Sequence, residues 1–112
     1  MERDRARKLL REERERVVGL LGDTEEAQRL DHAAEDETGD EGDAAQALEA
    51  EGTDDAFAAD LRARLAALDR AEERLDQGVY GRSVRSGRPI ADERLEADPA
   101  AELTLDEAEA AG

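Results

Sequence analysis

The chain has 112 residues, with 32 Asp and Glu against 16 Lys and Arg for a formal charge of -16, no Cys, no Trp, and Phe57 and Tyr80 as its aromatic side chains. A surface of that sign repels nucleic-acid phosphates and anionic lipid, which argues against direct nucleic-acid binding and against a membrane partner. The lack of Cys removes disulfides, thiolate metal ligands and a cysteine nucleophile together, and a single thin core of Leu, Val and Ala favours helices over a sheet sandwich.

The N-terminus is charged and no apolar run follows that is long enough for export or membrane insertion, so a soluble, cytoplasmic protein is expected. Residues 2–32 contain no Pro. Leu10, Val17, Leu21 and Leu30, with Leu9, Val18, Leu20 and Ala27 beside them, recur at helical spacing and predict a first amphipathic helix. Gly19 and Gly22 within it predict a bend or a frayed turn.

From Ala33 to Asp43 the apolar pattern stops, and the acidic, glycine-punctuated run Glu35 to Asp43 reads as a loop. A second helical pattern spans Ala44 to Gln77, carried by Leu48, Phe57, Leu61, Leu65, Leu68 and Leu75. Gly52-Thr53-Asp54-Asp55 interrupts it, with Thr53 or Asp54 as a candidate N-cap for a restart. Two helices with one narrow apolar stripe each bury those stripes most simply as an antiparallel hairpin. Gly78 stands where a helix C-cap is favoured. Turn residues at Gly81, Gly87-Arg88-Pro89 and Asp98-Pro99 then predict a compact segment whose core draws on Val84, Ile90, Leu95, Leu103 and Leu105.

Charge is uneven along this layout. Gly22 to Asp55 holds fourteen acids against one base, Arg29, for a local charge of -13, whereas Met1 to Val18 has seven bases against five acids. The far end of the arm is therefore strongly negative and its base is not.

The stretch Ala67-Leu68-Asp69-Arg70-Ala71-Glu72-Glu73-Arg74-Leu75-Asp76-Gln77-Gly78-Val79-Tyr80-Gly81 resembles the helix exit of the DksA/TraR family, where it leads into a four-cysteine zinc finger. Arg82-Ser83-Val84-Arg85-Ser86-Gly87-Arg88-Pro89-Ile90 resembles that finger's x-C-x-x-C-G-x-P-I, and Arg94-Leu95-Glu96-Ala97-Asp98-Pro99 resembles its R-L-E-A-x-P. The similarity covers roughly Asp60 to Glu107. It implies an all-α protein: a coiled-coil hairpin over residues 1–78 with an acidic tip near 33–45, and a degenerate zinc-finger-like cap over 79–112.

By the same register the family's zinc ligands fall on Ser83, Ser86, Thr104 and Glu107, three hydroxyls and a carboxylate that do not hold structural zinc, so no metal or other cofactor is expected. The cap should then rest on apolar packing and on ion pairs of Arg82, Arg85, Arg88 and Arg94 with nearby acids. The tip motif D-x-x-D-x-A falls on Asp40-Glu41-Gly42-Asp43-Ala44-Ala45, which makes Asp40, Asp43 and Ala45 the tip residues. In so acidic a segment the same pattern also reads as plain solvated surface, and its register with the finger is what favours a functional role. The family's guanosine-tetraphosphate contacts would map to Ala67, Asp98 and Ala108, leaving Arg94 as the one retained basic contact to nucleotide or polymerase, so little dependence on that nucleotide is expected.

The resemblance implies a monomeric transcription regulator that binds RNA polymerase and inserts its acidic tip into the secondary channel. The alternative is an acidic adaptor or nucleic-acid mimic that binds a basic protein. An enzyme is not expected: His32 is the only histidine, Ser83 and Ser86 have no base beside them in sequence, and no apolar pocket is indicated in which paired carboxylates could be driven apart in pKa.

Overall fold

In this computed structural model residues 1–38 and 41–111 are described, with side chains described for residues 1–30 and 55–111. Four helices follow in order: α1 (Arg3–Thr38), α2 (Glu41–Asp76), α3 (Asp92–Ala97) and α4 (Leu105–Ala111).

The heptad spacing of the apolar residues decides how α1 and α2 meet. Ala6, Leu10 and Val17 on α1 and Leu61, Leu68, Ala71 and Leu75 on α2 are buried against one another, with Leu21, Leu65 and Ala67 partly buried beside them. Steps of three, four and seven keep one stripe of each helix on the seam. Polar pairs flank it in antiparallel order: Arg7 with Asp76 at 3.5 Å, Arg14 with Glu72 at 3.1 Å and with Asp69, Arg62 with Glu25 at 2.9 Å, and Gln28 with Asp55 at 2.7 Å. Numbers rise along α1 as they fall along α2. Exposed pairs of this kind stabilise little, so the seam supplies the holding force and the pairs help set the register. The molecule measures 56 × 30 × 20 Å with a radius of gyration of 18.6 Å, against about 13 Å for a compact domain of similar length. It is a rod with a knob.

Gly78, at φ 78°, ends α2 in a Schellman motif: its N–H donates to the Leu75 carbonyl at 3.1 Å and that of Val79 to the Arg74 carbonyl at 2.9 Å. Only glycine takes that left-handed conformation without strain. The cap that follows has a small apolar cluster of Ile90, Leu95 and Ala101, and Met1 and Tyr80 pack against both this cluster and the hairpin seam. The Tyr80 hydroxyl donates to the Pro99 carbonyl at 2.8 Å, and burial raises its pKa to about 12, so it stays a neutral donor. Arg64 reaches Asp98 at 2.5 Å and Glu13 at 3.4 Å, tying α1, α2 and the cap, while Arg70 pairs with Glu102 at 2.7 Å and Arg5 with Glu96 at 2.5 Å.

The structure departs from the sequence expectations in four places. Helix persists through Glu35–Thr38 and resumes at Glu41, where a loop from Ala33 to Asp43 was expected. Apolar periodicity reports burial rather than backbone conformation, and Ala and Glu extend a nucleated helix well. α2 also runs unbroken through Gly52-Thr53-Asp54-Asp55, because carrying a helix across one Gly costs about 1 kcal/mol, less than nucleating a new one. α1 continues through Gly19 and Gly22 without interruption. Finally, Leu30 and Phe57 lie on the outer faces of the hairpin, with Ala58 buried in place of Phe57, and Val84 and Leu105 are more than half exposed on the cap.

Candidate functional site

Two regions carry the chemistry that the sequence singles out. The first is the end of the hairpin where α1 stops at Thr38 and α2 starts at Glu41. Asp40 lies outside the described residues. Asp43 and Ala45 belong to the first turns of α2, and their side chains lie outside the described set.

The second is the cap, where all four zinc-ligand positions converge. The Ser83 hydroxyl donates to Glu107 Oε2 at 2.8 Å, and the Ser86 and Thr104 hydroxyls donate to Glu107 Oε1 at 3.1 and 2.8 Å. Each hydroxyl also accepts. Ser83 Oγ takes the backbone N–H groups of Arg85 and Ser86 at 3.1 and 3.2 Å, Ser86 Oγ that of Arg88 at 3.3 Å, and Thr104 Oγ1 that of Glu107 at 3.3 Å. A carboxylate thus sits where the metal of a four-ligand finger would join two loops. Glu107 and Ser83 are buried, and the donor and acceptor capacity of the cluster is largely used up internally.

Local sequence explains why this closes. Thr104-Leu105-Asp106-Glu107 is a capping box at the start of α4, with Thr104 as N-cap and Glu107 three residues on. The Thr104 N–H points back to Glu107 Oε1 at 3.4 Å, a long and weak return bond. Across the loop, Gly87 at φ 74° lets the chain reverse so that Ser83 N–H donates to the Arg88 carbonyl at 2.8 Å and Gly87 N–H to the Ser83 carbonyl at 2.9 Å. Arg82 and Pro89 face each other as an antiparallel bridge below this knuckle.

Burial alone would push the Glu107 pKa upward. The hydroxyls of Thr104 and Ser83, the Thr104 backbone N–H and the Ser86 hydroxyl outweigh it and hold the group down, from 4.5 to about 2. It is ionised throughout the physiological range. The four positions do not fit zinc: there is no thiolate or imidazole among them, and the hydroxyl protons are already committed to the carboxylate.

The expected arginine pairing of the cap is corrected by the structure. Arg88 approaches Glu107 at 3.8 Å, but Arg82 donates to the Gly87 carbonyl at 3.2 Å, Arg94 donates to the Leu103 carbonyl at 2.9 Å, and Arg85 makes no ion pair with a described residue. Hydroxyl-to-carboxylate hydrogen bonds hold the knuckle instead. The sequence reading treated Ser83, Ser86 and Thr104 as empty ligand positions and missed the capping box T-x-x-E, a signal legible in the chain. Arg94 lines a groove of about 600 Å³ with Arg88, Pro89, Ala97 and Leu105. Of the positions corresponding to nucleotide contacts, Asp98 is spent on Arg64.

Among the described residues no helix is long and apolar enough to cross a membrane. The sequence matches no profile of a known protein family and none of the curated proteins. Among solved structures it is similar to that of transcription factor DksA2 from Pseudomonas aeruginosa, at 27% identity and a TM-score of 0.83, over 97% of this chain and 81% of that one. At that coverage the likeness takes in hairpin and cap together.

Proposed function

The chain is a cysteine-free protein of the DksA family and a DksA-like transcription regulator, and from that premise we propose that it acts by binding RNA polymerase and carrying the turn of its hairpin into the secondary channel. Asp40 and Asp43 are the carboxylates brought toward the catalytic centre, with Ala45 completing the tip. The observation that carries this reading is where the two antiparallel helices meet: α1 ends at Thr38 and α2 begins at Glu41, at the start of the expected tip motif and at one end of a molecule 56 Å long. A local charge of -13 over Gly22 to Asp55 suits a partner surface or bound metal of positive character.

In this reading the protein is a monomeric, cytoplasmic, non-enzymatic regulator with no cofactor. It responds weakly or not at all to guanosine tetraphosphate, because Ala67, Asp98 and Ala108 supply no cation for a phosphate. The test is the double variant Asp40→Asn/Asp43→Asn in transcription with the cognate polymerase. It should bind with nearly unchanged affinity and lose its effect on transcript yield, and normal regulation by the variant overturns the tip assignment. The same charge concentration supports a second reading as an acidic adaptor for a basic protein. Affinity capture with the full chain separates the two, since polymerase subunits dominate only under the first.

A further inference from the structure

The cap carries a cationic knuckle that the tip mechanism does not use. From Gln77 to Ala91 the chain has three arginines, Arg82, Arg85 and Arg88, and no acid, in a protein with a formal charge of -16. All three are exposed, and Val84, among them, is 55% exposed. Arg88 approaches Glu107 at 3.8 Å and lines a groove with Glu93 and Asp106, whereas beside Val84 the carboxylate of Glu102, whose carbonyl accepts the Val84 N–H at 2.9 Å, is taken by Arg70. Arg82 and Arg85 make no ion pair with a described residue.

The knuckle is also built in advance. Backbone bonds from Ser83 to Arg88 and from Gly87 to Ser83, the positive φ of Gly87, and the hydroxyls bound to Glu107 fix the loop that carries these side chains. A loop ordered before binding loses little entropy when it docks. We propose that this knuckle, Arg82, Val84, Arg85 and Arg88, is a docking surface for an acidic patch on a protein, with Val84 seated on an apolar spot within it. The proposal rests on the polymerase reading above and assigns a contact at the opposite end of the rod from the hairpin turn.

Nucleic acid is the weaker fit for the same arginines. The knuckle has no aromatic side chain on which a base could stack, the whole-molecule field repels phosphates, and arginine is enriched at protein interfaces. With negative charge concentrated around the turn and positive charge at the knuckle, the protein approaches its partner already oriented, which raises the rate of productive encounter.

The test measures the affinity of the full chain for core RNA polymerase of its source cells across a range of salt, for wild type, R82E/R85E and the milder R82Q/R85Q. R82E/R85E should bind at least about tenfold more weakly, with a flatter salt dependence, and R82Q/R85Q should fall between it and wild type. Both should melt as wild type does, and the Gln pair supplies the answer if charge reversal alone disturbs the fold. Equal affinity of wild type and the variants overturns the docking surface and leaves the polymerase reading standing. Absence of wild-type binding sinks that reading first. Arginine-dependent binding to a DNA duplex, in place of polymerase, overturns the choice of a protein partner.

Discussion

The hairpin and the cap are both helical and both heavily charged outside, yet they are held by different kinds of force. In the hairpin, Leu10, Val17, Leu61, Leu68 and Leu75 close a seam whose strength scales with apolar area and depends little on direction. The cap buries Ile90, Leu95, Pro99, Ala100 and Ala101 as its own apolar residues and adds a directional device, a carboxylate gripped by three hydroxyls. The contrast teaches that a small module without thiolate or imidazole ligands can still join two loops, provided something at the centre ties them. Salt and pH should therefore act unequally on the two halves.

The largest effect should come from putting thiolates back. In S83C/S86C/T104C/E107C the four positions converge as before, and structural zinc in zinc-finger peptides supplies roughly 10 kcal/mol or more. Stoichiometric zinc by elemental analysis and a melting temperature that drops on chelation are the expected results, and a variant that folds without taking up zinc would show that the four positions have lost their tetrahedral spacing. Next comes Leu68→Ala, which empties a fully buried site on the seam and should cost about 3 kcal/mol in urea unfolding. The loss should be felt by the whole molecule rather than by the cap alone.

Glu107→Gln should sharpen the comparison by loosening the cap while sparing the hairpin. Amide hydrogen exchange should quicken at Val84, Gly87 and Ser86, whose N–H groups are bonded within or against the knuckle, and change little along the Leu10 to Val17 seam. The sign with pH follows from a folded-state pKa lowered from 4.5 to about 2. The ionised group's contribution is fully present above the ordinary value and is lost as pH falls through about 2. Acid titration of stability should thus be steeper in the wild type than in the Gln variant over that window, and parallel curves would remove Glu107 from its central role. The smallest effect is expected at Gly22→Ala. A Cβ there meets nothing within 4 Å, so the substitution should stabilise α1 by about 0.5–1 kcal/mol in thermal unfolding.

Much of this architecture was legible in the chain because its causes are local. The stripe Leu10, Val17, Leu61, Leu68, Leu75 announces two helices with one apolar face each, and Gly78 announces where the second must end. Where the reading failed, it took apolar periodicity as evidence for helix and its absence as evidence for loop. Glu35 to Thr38 and Gly52 to Asp55 belong to helices for reasons of propensity and nucleation cost that leave no apolar trace. Phe57 misled for the opposite reason: it was counted in the apolar pattern of α2, but Ala58 is buried beside it and Phe57 is left 47% exposed.

The cap divides in the same way. By its resemblance to the family's finger the sequence sets Ser83, Ser86, Thr104 and Glu107 in register with four zinc ligands, and by composition it withholds the ligands that zinc needs. What these residues do instead depends on their meeting in space, across 24 positions from Ser83 to Glu107. Hydrogen bonding is satisfied by whichever partners the packed chain brings within about 3 Å, and no linear pattern specifies those partners over such a separation. Composition and periodicity thus determined a helical, acidic, thiol-free rod with a turn near its negative centre. Only the tertiary structure decided that one buried carboxylate would tie the two loops, and that Arg82 and Arg85 would be left without an ion pair among the described residues.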